Sequence, residues 1–129
     1  MASTNQITTK EFRNGVKIHT CTMTCAAGSA EFSDVNFSEQ GKRLLGVVIT
    51  TTGGATGPTD NSDLSITDGV SGVNLIATNG TDAVDNDAIT QIAPDSATNL
   101  IFGPLVMSIS NNAVNGARCT IDVMFTCDL

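Results

Sequence analysis

The feature that most constrains this chain is a change of side-chain character at every second residue near its C-terminus. Cys119, Ile121, Val123, Phe125 and Cys127 fall on one face and Thr120, Asp122 and Thr126 on the other, with Met124 the one exception. A period of two suits a pleated strand with one face on a core, and it cannot build the apolar stripe of a helix. Val16 to Cys25 is a second candidate strand, in which Thr20, Thr22 and Thr24 alternate with Cys21, Met23 and Cys25. Val16 and Ile18 share the threonine side, so its inward face stays open. Leu44 to Thr52 is rich in β-branched residues and reads as a buried strand, closed by the breaker run from Gly53 to Pro58. Asp63 to Thr67 alternates, Asp68-Gly69 signals a turn, and Val73 to Ala77 resumes the pattern, which predicts a hairpin with a loop longer than two residues. Leu105 to Ser110 alternates weakly before the turn residues Asn111 to Gly116.

About seven short strands joined by Gly, Asn, Asp and Thr predict an all-β fold, an antiparallel β-sandwich or barrel-like arrangement. The spacing of Ala83, Val84, Ala88, Ile89 and Ile92 allows at most one short helix near residues 82–92, with acidic residues early, where the helix dipole favours them. With 129 residues, 40% of them apolar, the chain can fill one core, so residues 1–129 read as a single β domain. The polar residues 1–12 read as an N-terminal arm able to order on a neighbouring subunit.

Composition narrows the function. Aromatics make up 4% of the chain, with no Trp and no Tyr, which removes the usual platforms for nucleobases and sugars. The net charge is −7 and unevenly placed. Lys10, Arg13, Lys17, Lys42, Arg43 and Arg118 are the only Lys and Arg residues, whereas Asp60, Asp63, Asp68, Asp82, Asp85, Asp87 and Asp95 crowd a middle stretch without one. Such a balance disfavours nucleic acid and anionic membranes as partners. The N-terminus lacks the basic start and apolar stretch of a secretion signal, and no apolar run nears the ~20 residues of a membrane span, so a soluble protein made in the cytoplasm is expected.

No catalytic, cofactor or metal site is expected from the remaining residues. On strands, Cys21 and Cys25 would lie ~13 Å apart and Cys119 and Cys127 ~26 Å apart, too far for one metal ion to hold all four. The cysteines read as reduced core residues, with one cross-strand bridge from Cys21 or Cys25 to a C-terminal cysteine as the alternative. His19 is the single histidine and reads as a partly exposed strand residue, with no nucleophile signature anywhere in the chain. Asp82, Asp85 and Asp87, like Asp60 and Asp63, could offer oxygens to calcium but match no EF-hand, and short Asp and Asn side chains ordinarily serve turns and caps.

Gly46 to Thr52, followed by Gly57-Pro58-Thr59-Asp60-Asn61-Ser62-Asp63-Leu64-Ser65-Ile66-Thr67-Asp68-Gly69-Val70, resembles small structural proteins encoded among the virion genes of tailed phages. Gly103 to Asn111 and the closing strand are similar to that group too, and the likeness spans residues ~44 to 125 as a pattern rather than a diagnostic motif. Ser62 stands where the family often has an aromatic beside Asn61. The resemblance implies a non-enzymatic virion protein, a capsid decoration or cement protein that binds the major capsid protein and copies of itself as a homo-oligomer. A tail, adaptor or fibre-associated receptor-binding module is the alternative. On this expectation the acidic loops face solvent, and Lys10, Arg13 and Lys17 meet an acidic shell.

Overall fold

A computed structural model describes residues 3–96 and 100–126. Among these, eight strands form two antiparallel sheets packed face to face: β1 (Thr4–Glu11), β2 (Val16–Thr24), β3 (Val35–Phe37), β4 (Arg43–Thr50), β5 (Asp63–Asp68), β6 (Ile89–Ile92), β7 (Leu105–Ser110) and β8 (Arg118–Thr126). The larger sheet has the order β1-β2-β8-β4-β6 and the smaller β3-β7-β5. Two single-turn 3-10 helices, Gly54–Thr56 and Ala77–Gly80, interrupt the connections. The all-β sandwich expected from periodicity is the fold observed, and no described helix is long and apolar enough to cross a membrane.

Alternation decides the core. Cys21, Met23, Val47, Ile49, Cys119, Ile121, Val123 and Phe125 point inward from the large sheet. Val35, Phe37, Leu64, Ile66, Leu105, Met107 and Ile109 meet them from the small one. The open question in β2 is settled by its pairing with β8, because Cys21 opposes Ile121 and shares its buried face, which turns Thr20, Thr22 and Thr24 outward. In β4 the register with β8 shifts between Leu44 and Gly46. This bulge keeps Leu44 inside and leaves Leu45 exposed on the outer face.

Pairing decides three segments that the sequence leaves open. No helix forms at residues 82–92, where Val84 bridges to Ser62 and Ile89–Ile92 is strand β6. Asp82 has φ 57°, outside the right-handed helical region, and pairing β6 with β4 brings Ile92 opposite Val47 in the core. Thr4–Glu11, marked by its polarity as an arm, is instead the edge strand of the large sheet, in register with β2 along its whole length. The hairpin is partial: Val73 accepts the Asp68 N–H and Leu75 donates to Ile66, after which the chain turns into the 3-10 helix rather than a second strand. Cys127 lies outside the described residues.

Candidate functional site

Strand pairing sorts the charges by end. Lys10 opposes Ile18, Glu11 opposes Lys17, and Val16 and Arg43 both oppose Thr126, so the β1–β2 turn and the start of β4 share one end of the sandwich. Five of the six Lys and Arg residues, Lys10, Arg13, Lys17, Lys42 and Arg43, gather there, while Arg118 opposes Thr24 at the other end. The acidic loops sit at that far end. Thr51, just past β4, hydrogen-bonds the backbone of Asp85 and Ala88, and Asp60 and Asp63 flank the loop that follows.

The three cations singled out from sequence do not form one patch. Lys10 points to the outer face of the large sheet, its ammonium 5.4 Å from the centre of the Phe12 ring. Arg13 is exposed in the β1–β2 turn. Lys17 turns to the inner face and is spent internally, 3.4 Å from Glu39 and 3.5 Å from Glu11.

Glu39 is the centre of that internal cluster, and sequence pattern does not reveal it. Only 3% exposed, its carboxylate meets the Lys17 and Lys42 ammoniums and His19 Nε2 at 2.6 Å. Burial alone would raise its pKa; hydrogen bonds from Lys42 and His19 and the two lysine charges outweigh this and hold it below the ordinary carboxylate value. With Glu39 ionised, Nε2–H donates to it, and Nδ1 lies 2.9 Å from the Thr9 hydroxyl. His19 stacks on Phe37 at 4.9 Å and meets the edge of Phe125 at 5.7 Å. Thr9, His19 and Glu39 thus stand in the order of a hydroxyl–imidazole–carboxylate relay. The same carboxylate is shared with two ammoniums, those of Lys17 and Lys42. The arrangement acts as a clamp joining β1, β2 and the segment before β4.

Asp60, Asp63 and Asp85 are engaged as well. Asp63 accepts the Asp82 N–H at 2.8 Å and the Asn111 side-chain amide, Asp60 accepts the Asn86 N–H at 2.8 Å, and Asp85 accepts the Asn61 N–H at 3.0 Å. These are loop-tying bonds, and among the described residues no three His, Cys, Asp or Glu side chains converge on a metal position. Cys21, Cys25 and Cys119 are buried free thiols. Register explains why: Cys21 faces Ile121, Cys119 faces Met23, and Cys25 donates its N–H to the Ala117 carbonyl, so no described cysteine opposes another. Burial pushes Cys21 up to about 11 and Cys119 to about 12.

One surface remains. On the outer face of the large sheet Phe12, Ile18, Leu45, Val48 and Met124 surround a hollow of ≈ 780 Å³ above Gly46. Lys10 and Asp122 lie on the same face, Asp122 accepting the Thr20 hydroxyl at 2.5 Å. Comparison of the chain with protein-family models, curated proteins and solved structures finds no match.

Proposed function

We propose that this chain is a non-enzymatic structural protein of a tailed-phage virion, a decoration or cement protein that docks on the head shell by the basic end of its sandwich. The observation that carries this reading is the separation of charge: at one end of an otherwise acidic domain five Lys and Arg outnumber Glu11 and Glu39, and the Asp-rich loops lie at the other. A rigid body with such ends is drawn end-on to an acidic surface, and it presents its solubilising carboxylates outward once bound. The resemblance across residues ~44 to 125 supplies the virion context. The internal use of Glu39 and the burial of Cys21, Cys25 and Cys119 accord with work done by a surface.

Arg13, at the tip of the β1–β2 turn, is the cation to test, because Lys17 is already neutralised by Glu39. Labelled protein added to purified particles should decorate the head in a symmetric pattern by electron microscopy. Occupancy should fall as salt rises past ~0.15 M, and Arg13→Glu should lower it further. Density confined to the tail or a vertex would transfer the assignment to a tail or fibre component. Occupancy indifferent to salt and to Arg13→Glu would refute docking by the basic end.

A further inference from the structure

We infer that the outer face of the large sheet is a two-fold interface between copies of this chain. Strand pairing lays that face out as a lattice. One row runs Lys10, Ile18, Met124, Gly46 and the next Thr8, Thr20, Asp122, Val48, Gln91 across β1, β2, β8, β4 and β6. Its upper part is apolar and exposed beyond what solubility favours, with Phe12 42% and Leu45 41% exposed beside the hollow and Ile89 76% exposed farther down.

The face complements itself, which selects a second copy as its occupant. It carries a cation, Lys10, and an anion, Asp122, as well as a hollow and the bulky groups that could enter one. With strands ~4.8 Å apart and ~3.3 Å per residue, Asp122 lies two strands and two residues from Lys10, about 12 Å away. A two-fold axis in the plane of the interface, perpendicular to that line, sets Lys10 of each copy against Asp122 of the other. The same operation on the same lattice carries Gly46 of one copy onto the Phe12–Val16 corner of the other. Charge pairing and hole filling therefore follow from one symmetry operation, as an isologous contact requires.

The contact does not rest on the virion reading, and purified protein without particles tests it. Sedimentation velocity over a range of concentrations should show a reversible dimer. Lys10→Asp and Asp122→Lys each place like charges together and should raise the dissociation constant by roughly a hundredfold, while the double variant restores pairing. Because Asp122 also accepts from Thr20, Gly46→Leu provides a variant that alters no charge. A Cβ at Gly46 meets only the Ile92 carbonyl oxygen, at 3.7 Å, so the sheet accepts it while the hollow fills and the dimer is lost. A monomer at every concentration overturns the proposal. So does a dimer that Lys10→Asp and Gly46→Leu leave intact, or a folded double variant that stays monomeric.

Discussion

Replacing Asp68 by Asn changes one atom in a cage of backbone donors and should cost the protein a large part of its stability. Asp68 ends β5 with its side chain fully buried. Its Oδ1 accepts the N–H of Val70 at 2.8 Å and of Ser71 at 3.3 Å, its Oδ2 accepts that of Phe102 at 2.7 Å, and Gly103 adds a fourth donor. Burial alone would raise the pKa, but the four backbone bonds outweigh it and hold the carboxylate below its ordinary value. In Asp68→Asn an NH2 group faces donors where an oxygen stood. The loss of charge-assisted bonding and one buried unsatisfied donor together cost about 3 kcal/mol. An unfolding entropy of roughly 2.1 cal/mol/K per residue turns this into a fall in Tm of about 11 °C for a chain of this length. Thermal unfolding followed by circular dichroism at neutral pH measures it. The sign of the pH dependence follows too. The folded pKa lies below the unfolded one, ~3.9, so the stabilisation is complete above that value and disappears as pH falls through the folded pKa. The variant should lack this acid limb. A Tm within about 2 °C of the parent, with the same acid dependence, would refute the cage as what ties β5 to the loop before β7.

Glu39→Gln should lower stability by about 2 kcal/mol, since Lys17 and Lys42 lose the buried anion they share and only the exposed Glu11 remains beside Lys17, though solvent reaches both ammoniums; denaturant titration gives the value. In a Cys127→Ser background, a thiol reagent at pH 8 should leave the folded protein unmodified and react with three cysteines once it is unfolded, because Cys21, Cys25 and Cys119 are buried and hard to ionise. Gly80→Ala should prevent stable folding, as its Cβ would stand 2.0 Å from the Leu64 carbonyl oxygen; Gly46→Ala, with 3.7 Å of clearance, should fold normally, and soluble yield and Tm separate the two.

The fold was legible where one face of a strand is buried. β2, β4, β5, β7 and β8 begin and end near the sequence signals because alternation records burial directly. β1 was hidden, since seven of its eight residues are exposed at a sheet edge and even Ile7 finds no cover. The apolar spacing that allows a short helix at residues 82–92 is equally met by a bridge at Val84 and a short strand ending at Ile92. The Glu39 clamp joins residues twenty or more apart in sequence, and its only local trace is Glu39 three residues before Lys42. Sequence shows the charge of Lys17 but not which face of β2 bears it.

The separation of charge is a product of topology rather than of composition along the chain. Lys10, Arg13 and Lys17 surround the β1–β2 turn, and Lys42 and Arg43 lie some twenty-five residues further on. They meet because β2 and β4 both pair antiparallel with β8, so both strands must start at the same end of the sheet. The loops that leave β4 and return to β6 are thereby placed at the opposite end, and these carry Asp60, Asp63, Asp82, Asp85 and Asp87. A parallel β4 would interleave the two signs. The outer face, in contrast, owes its hollow to a single residue, Gly46, set beside the bulge that exposes Leu45. End and face are thus built by different devices, and Arg13→Glu and Gly46→Leu should act on shell docking and self-association separately.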